Sequence, residues 1–347
     1  MNKIDVLSLP RMDHNPYQTL LASHLEVVGV HTHVVRKGIV AFIYDIAFAK
    51  ADIIHIHFTH FLFQNSSNKK RPLIIALSAA FVFLVLIRYR KLLGAKIIYT
   101  FHNNLSHEQF YPKIERLVLH RILHMSSNIF AHFNEARDFI HTSYSIDRAK
   151  ISIIPHGDYS GYYKNTMSFQ EARKLLDIDP KTYVYLFFGN IRSYKGIPKL
   201  IHTFKKLQQT NTLLYIVGNP ANSEIKQLIE KAIESLPTIR CVYEFIPNDT
   251  VQIYMNAANV IVLPYRDVFT SGIAHLALTF NKPFIAPNIN ALKEFKDTAL
   301  LYDSANPHGL YEALCDAPKF TQDYTRAYTQ TTWDSIAKQT ATVYLKT

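Results

Sequence analysis

Short apolar, β-branched runs alternate with longer stretches of helical periodicity along the whole chain, the pattern of parallel sheets built from βαβ units. In the first half, strands are predicted at Lys3–Leu9, Thr32–Arg36, Asp52–Phe58, Lys96–His102, Asn128–Phe133 and Ile151–Pro155. Helices are predicted between them at Tyr17–Val28, from Leu73 through Leu93, at Tyr111–Met125 and at Glu135–Ser143. The rhythm breaks from Asp158 to about Pro180, a polar stretch rich in Tyr and Lys that reads as a linker. It then restarts, with strands at Tyr183–Phe188, Leu213–Val217, Arg240–Ile246, Val260–Leu263 and Pro283–Ala286. Helices at Pro198–Gln209, Ser223–Leu236, Thr250–Asn256 and Ser271–Phe280 separate these, and a last helical stretch spans Tyr324–Tyr344. Two consecutive doubly wound α/β domains follow from this pattern, with ligands expected in a cleft at the carboxyl ends of the strands.

Composition narrows the class. The 347 residues predict about two domains at roughly 150 residues each. Apolar residues at 48% against 19% charged exclude disorder, and 2 cysteines exclude a disulfide framework and fit a reducing compartment. The stretch from Met1 to Pro10 is too short for a secretory leader and reads as a buried first strand. A net charge of +11 calls for an anionic partner: nucleic acid, a small anion or a membrane.

One segment bears on that choice. Leu73–Ile87 is apolar apart from Ser78, and Lys69, Lys70, Arg71, Arg88, Arg90 and Lys91 bracket it. As a helix it is about 22 Å long, short of the ~30 Å hydrocarbon core of a bilayer. It is a helix buried against a sheet, one embedded in a single leaflet with its cationic ends on anionic headgroups, or a true span. The basic positions Lys113, Arg116, His120, Arg121 and His124, at helical spacing, are either a solvated face or part of the same surface.

Candidate chemistry sits in the loops after predicted strands. Phe188-Gly-Asn-Ile-Arg-Ser-Tyr-Lys-Gly196 places Gly189, Arg192 and Lys195 between a strand and a helix N-terminus, where free N–H groups favour an anion. It is neither a Walker loop nor a dinucleotide fingerprint, and a solvated turn has the same composition. Leu263-Pro-Tyr-Arg-Asp-Val-Phe-Thr-Ser-Gly272 repeats the arrangement, with Ser271 and Gly272 opening a helix; simple N-capping is the alternative. The stretch Glu244–Asn248, with Phe245 and Ile246, lies at the end of another predicted strand.

In the first half, His102, His107 and Glu108 supply acid and base groups after a strand, or else serve as caps. His55 and His57 share one strand face, but no carboxylate or cysteine completes a metal set, so they read as structural. Asn15 and Tyr17 open the first helix, and His156 ends the last strand of this half. The first loop contacts a donor or an acceptor in a two-domain cleft enzyme, or is plain Asn-Pro helix initiation, and His156 is expected at the inter-domain cleft.

Together these strings resemble the GT-B superfamily of sugar-nucleotide glycosyltransferases over essentially the whole chain, most of all the bacterial xanthan-pathway β-mannosyltransferase family, which is inverting. The likeness runs through Asn15-Pro-Tyr17, His55-Ile-His57, Phe101-His-Asn with His107-Glu108, and His156-Gly157. It continues through Gly189 to Gly196, Ile216-Val-Gly-Asn-Pro220 with Gly218 and Asn219, Val262-Leu-Pro-Tyr265, and Ser271-Gly272. The Glu-x7-Glu element of retaining members is missing: Val268 and Leu276 stand at its positions. The arginine usual after the first glycine of the phosphate loop is displaced, with Asn190 there and Arg192 two further on.

The resemblance implies two Rossmann-like domains facing across a cleft: an acceptor-binding, membrane-proximal domain at 1–160, a nucleotide-sugar domain at 161–325, and a terminal helix at 326–347 packing back on the first. It implies transfer of a hexose, mannose from GDP-mannose favoured, to a lipid-linked or saccharide acceptor in surface-glycan synthesis. Glu108 is the expected base, with His102 orienting the sugar or competing for that role. Gly189, Arg192, Lys195, Gly218, Asn219, Phe245, Ile246, Tyr265, Ser271 and Gly272 are the expected donor contacts, and Asn15, Tyr17, His107 and His156 the acceptor contacts. No metal or cofactor is expected beyond the donor itself, and nucleic acid is not an expected partner. Attachment to the inner face of the plasma membrane through Leu73–Ile87 is. A retaining enzyme using a UDP-sugar and a catalytically silent nucleotide-sugar or glycan-binding protein are the alternatives.

Overall fold

A computed structural model describes residues 4–12, 15–65, 69–105, 110–207, 209–234, 236–322 and 332–347. The chain divides into two compact units, Met1–Gly157 with Thr331–Thr347, and Asp158–Gln330.

The first unit alternates β1 (Ile4–Leu9), α1 (Pro16–Val27), β2 (Val30–Val34), α2 (Ile39–Phe48), β3 (Ile53–Ile56) and α3 (Leu73–Leu92). It continues with β4 (Lys96–Thr100), α4 (Pro112–Met125), β5 (Asn128–Ala131), α5 (Asn134–Tyr144) and β6 (Ile151–Ile153). Its six strands pair in the order β2-β1-β3-β4-β5-β6, all parallel. Every residue of β3 is buried, and only the first of β4 is exposed, because helices cover both faces of a parallel sheet. The order reverses between β1 and β3, and that point on the carboxyl edge is where such sheets bind ligands.

The second unit runs α6 (Phe169–Leu175), β7 (Tyr183–Phe188), α7 (Ile197–Phe204), β8 (Thr212–Val217), α8 (Ser223–Ile233) and β9 (Ile239–Val242). It closes with α9 (Val251–Ala257), β10 (Val260–Val262), α10 (Gly272–Thr279), β11 (Phe284–Pro287), β12 (Ala299–Tyr302) and α11 (Gly309–Asp316). The order β12-β11-β10-β7-β8-β9 is again fully parallel. Here the reversal falls between β7 and β10, so the two glycine-bearing loops leave neighbouring strands at the switch point. A final helix, α12 (Trp333–Lys346), belongs to the first unit.

Four elements depart from the sequence expectation. Helix α2 is apolar almost throughout and so carries no helical periodicity to read. β12 and α11 are short, and the sequence reading assigned nothing there. The segment read as a linker contains α6, opened by a Ser168–Glu171 capping box. Its Arg173 is buried in the second unit, where the guanidinium donates to the carbonyls of Ala257, Asp179 and Pro180 and to the Asn259 side chain.

Helix α3 is not enclosed. Ala76, Ala80, Phe83, Ile87 and Arg90, spaced by three or four residues, form its buried stripe. Leu73, Ile74, Ile75, Leu77, Phe81, Val82 and Val85 on its other faces are exposed. The cations after it do not all face outward either. Arg90 is buried and caps the end of α2 through the carbonyls of Ile46 and Ala49, and Lys91 Nζ donates to Met125 O. On the predicted basic face, His124 Nε2 bonds the carbonyl of Tyr144.

Candidate active site

In the second unit, the loops after β7, β8 and β10 meet. Gly189 has φ +105°, and Gly218, at φ +150°, packs directly on it: a Cβ on Gly218 would lie 2.1 Å from Gly189 O. Only glycine tolerates both the angle and the approach. Ile191 N donates to Asn219 O and Ala221 N to Ile191 O, so the β7 and β8 loops extend the ladder beyond the sheet. Gly196, at φ +69°, lies against the carbonyl of Pro264, and Arg266 N bonds Tyr194 O, which ties the β7 loop to the β10 loop.

Lys195 occupies the middle of this arrangement. It ends a short 3₁₀ turn and is 8% exposed, and its ammonium lies 3.5 Å from where a Gly189 Cβ would be. Nζ donates to the Tyr265 hydroxyl at 3.3 Å and sits 5.0 Å from that ring's centre. Among the described residues no carboxylate pairs with it. Burial, with a further push from Arg192, brings the Lys195 pKa down to about 7. Arg192 is half-buried in the same loop. A buried cation without a counter-charge is unfavourable in the free protein and becomes favourable only when an anion arrives.

The N-terminus of α10 adds to the same end. Ser271 caps it by accepting from Ala274 N, and no acidic residue stands in its first turn. Ile273, in that turn, is within 3.1 Å of the space beside Gly189, so helix, glycine and lysine border one volume. The first N–H groups of a helix have no partner inside it and carry its positive dipole end. This set of a left-handed glycine, a buried ammonium and a helix N-terminus suits a diphosphate. Tyr265 is buried here, while Gly272 is exposed with Tyr159 beside it: a Cβ on Gly272 would lie 2.9 Å from the Tyr159 hydroxyl. Sequence reading missed Tyr159, whose segment showed only a Tyr-rich composition. Phe245 and Ile246 follow β9, an edge strand two places from β7, with Phe245 exposed and Ile246 buried. Asn219 is exposed, and Val268 and Leu276 are buried apolar residues.

The first unit gathers histidines. Tyr17 is buried among the rings of His57, His102, His132 and His156, with centroids 4.8–5.9 Å away, and Trp333 of α12 closes the cluster at 5.4 Å. Asn15 is the α1 N-cap, its side-chain oxygen accepting from the amides of Tyr17 and Gln18, so helix initiation accounts for it. His156 Nδ1 bonds the carbonyl of Gly157. His55 bonds the Tyr344 hydroxyl and Thr100 Oγ1, one at each ring nitrogen, and is a structural residue. His107 and Glu108 lie outside the described residues.

His102 belongs to a chain of imidazoles with a direction. His132 Nδ1 faces the Ile154 carbonyl at 2.9 Å and must donate, which leaves Nε2 as an acceptor. That Nε2 meets His102 Nδ1 at 3.2 Å, so His102 donates there and its own Nε2 accepts from His57 Nδ1 at 3.5 Å. Each ring must be neutral for this to hold, and burial ensures it. His132 is brought down to about 4 and His55 to about 3, while His57 and His102 fall well below the ordinary histidine value. Both His102 nitrogens are engaged, which suits positioning rather than proton abstraction. The described residues bring three His/Asp/Glu side chains within metal-binding distance only at Asp5, His31 and His33, on β1 and β2 away from this chain.

Residues 182–317 match the family of group 1 glycosyl transferases. The chain is 25% identical over 279 residues to the GDP-mannose:glycolipid 4-beta-D-mannosyltransferase of Xanthomonas campestris, covering 80% of this chain and 71% of that one. Among solved structures, a sucrose-phosphate synthase from Thermosynechococcus elongatus superposes with a TM-score of 0.74 at 16% identity, over 99% of both chains. Anabaena HepE in complex with UDP-glucose superposes at 0.67 and 13% identity, over 98% of this chain and 95% of that one. The two parallel six-stranded units are thus the two Rossmann-like domains of the GT-B fold.

Proposed function

We propose, from the premise that this chain is a glycosyltransferase of the group 1 type on a GT-B fold, that it transfers mannose from GDP-mannose to a lipid-linked or saccharide acceptor with inversion at the sugar. The observation that carries this reading is Lys195, a buried ammonium at the switch point of the second unit with which no carboxylate among the described residues pairs. When the bond from sugar C1 to the diphosphate oxygen breaks, charge builds on that oxygen. Lys195, Arg192 and the α10 N-terminus are the groups that meet it, the role a metal ion would otherwise fill. The acceptor hydroxyl attacks C1 from the opposite face and gives its proton to a base on the first unit, for which Glu108 is proposed. His102, held in one tautomer through His132, is a positioning residue in this scheme.

The donor preference rests on the mannosyltransferase relative. A β-mannoside made from an α-linked sugar nucleotide requires inversion. The buried Val268 and Leu276 place no acidic side chain where retaining members have theirs. The proposed setting is the inner face of the plasma membrane in surface-glycan synthesis, supported by the exposed apolar face of α3.

A second reading, a retaining transferase using a UDP-sugar, is favoured by one observation: a structural neighbour carries UDP-glucose in its complex. One experiment separates the two. The protein is incubated with GDP-mannose or UDP-glucose and a lipid-linked saccharide acceptor, and the product anomer is assigned by NMR. A β-mannoside, lost in Glu108→Gln while GDP-mannose still binds, supports the proposal. An α-glucoside replaces it with the second reading, and near-normal turnover in Glu108→Gln removes Glu108 as base.

A further inference from the structure

At the edge of the first sheet, two neighbouring strands bring metal-ligand side chains together. β2 is the edge strand and β1 its neighbour in the sheet. Their parallel register sets Asp5 beside His31 and Leu7 beside His33. Side chains alternate along a strand, so Asp5, His31 and His33 share one face. Each offers one ligand atom, and the three atoms lie within 4.8 Å of one another. The rings of His31 and His33 meet edge to face, with centroids 4.2 Å apart. His33 Nε2 and an Asp5 carboxylate oxygen are 3.9 Å apart, too far for a hydrogen bond. Two ligand atoms on a tetrahedral zinc ion, each about 2.0–2.1 Å from it, are about 3.4 Å from each other. A closing movement of about half an ångström therefore seats an ion between this pair.

The surroundings decide which His31 nitrogen is available. Glu26 oxygens lie 2.9 and 3.1 Å from His31 Nδ1. A carboxylate only accepts, so Nδ1 carries the proton and the lone pair of the neutral ring is on Nε2. A carboxylate behind an imidazole fixes its tautomer and raises its basicity, the usual support of a metal-bound histidine. Glu26 stands in the last turn of α1, at the negative end of the helix dipole. Asp52 brings a further carboxylate, its Oδ2 accepting from the Asp5 amide at 2.9 Å. Three carboxylates and a helix C-terminus thus gather around two imidazoles in a chain whose net charge is +11. The cluster is open to solvent, with the Asp5 side chain 38% and the His33 side chain 54% exposed. Asp5 lies four residues before Leu9, about 13 Å along β1 from its carboxyl end at roughly 3.3 Å per residue. That separates it from His57, His102 and His132, which follow the carboxyl ends of β3, β4 and β5.

We propose that Asp5, His31 and His33 bind one divalent first-row transition ion of the zinc type, with Glu26 holding His31 from behind. Two imidazoles and one carboxylate favour such an ion over calcium or magnesium, which take oxygen ligands. Three protein ligands leave a coordination position open to solvent. The bound ion joins the edge strand β2 to β1 and, through Glu26, to the end of α1, so it acts as a clip on the edge of the sheet. The site is independent of the glycosyltransferase reading and uses none of the residues assigned to transfer.

The probe is zinc alone, added to the full chain after a chelator has removed any metal. Calorimetry is expected to show one ion bound at these residues, with binding at least tenfold weaker in His33→Ala and in Asp5→Asn. Glu26→Gln, which keeps all three ligands, is expected to weaken it about tenfold to a hundredfold. His33 is more than half exposed, so its variant keeps the fold, and a melt without metal checks this. His120→Ala, which breaks the pair of neighbouring imidazoles on α4, is expected to bind zinc as wild type does. A second measurement needs no variant: zinc should shield His31 and His33 from carbethoxylation by diethyl pyrocarbonate, read by mass spectrometry. Excess calcium should leave that shielding in place. The proposal is overturned if wild type takes up no zinc, or if either His33→Ala or Asp5→Asn binds it unchanged. Equal carbethoxylation of both histidines with and without zinc overturns it as well, and so does loss of zinc binding in His120→Ala.

Discussion

Replacing Lys195 with methionine removes a buried charge while keeping most of the side chain's volume. Burial, with a smaller push from Arg192, moves this lysine from its ordinary value of 10.5 to about 7, so holding the charge in the free fold costs on the order of 5 kcal/mol. Between those two values the unfolded chain carries the proton and the folded chain does not. Stability therefore rises with pH across that window and is lowest below it. Lys195→Met is expected to melt higher than wild type below pH 7, with the gap closing toward pH 10.5. Donor binding moves the other way. A diphosphate supplies the missing partner, and breaking a buried charge pair costs about 3–5 kcal/mol. That corresponds to roughly two to three and a half orders of magnitude in sugar-nucleotide affinity, at about 1.4 kcal/mol per tenfold. The sharper assay counts protons. A sugar nucleotide has no phosphate proton left to lose near neutrality, so uptake on binding reports the protein. Calorimetry a unit above the Lys195 value, in buffers of different ionisation enthalpy, should show about one proton taken up by wild type and none by the variant. Equal affinities, or the same proton count in both proteins, would refute the assignment of Lys195 to the diphosphate.

Two further outcomes follow from the packing. Gly218→Ala places a Cβ against the Gly189 carbonyl at a backbone angle alanine rarely adopts, and denaturant unfolding should show a loss of about 2–4 kcal/mol; an unchanged midpoint would mean the loops do not meet as described. The neutral histidines make the fold acid-sensitive: their folded pKa values lie below the unfolded 6.5, so the unfolded chain binds more protons and stability falls as pH drops from 6.5 toward about 4 for His132 and about 3 for His55. Thermal melts across that range should show the fall, with a shallower slope in His132→Asn; parallel slopes would place the sensitivity elsewhere.

Much of the fold is legible in the chain because its cause is local. A strand buried on both faces reads as an unbroken β-branched run, as in Ile53–Ile56 and Val260–Val262, and most of the helices between them keep a periodic buried stripe. The β7 and β10 loops stand out in the sequence because each follows such a run and opens a helix, although a solvated turn or a plain N-cap has the same composition. Helix α2 is not legible: an apolar segment without a polar face has no period to read. Flanking charge was misleading too, because Arg90 and Lys91 look like headgroup contacts in sequence and are internal donors in the fold.

By itself, then, the sequence determined the alternation of strands and helices, the two-unit α/β plan and the loops that carry glycine and cations. Tertiary structure decided what those residues are chemically. Lys195 becomes a cation in need of an anion only because the fold buries it beside Gly189 and Tyr265, 70 residues away. His102 is fixed as a neutral link only because His132, 30 residues on, meets it across the sheet. The apolar Leu73–Leu92 helix is buried along one stripe, Ala76 to Arg90, and exposed elsewhere only because the fold packs that stripe inward. Periodicity depends on neighbours a few positions apart, so one chain suffices to read it; desolvation and tautomer depend on groups brought together from distant positions, and only the folded chain supplies those.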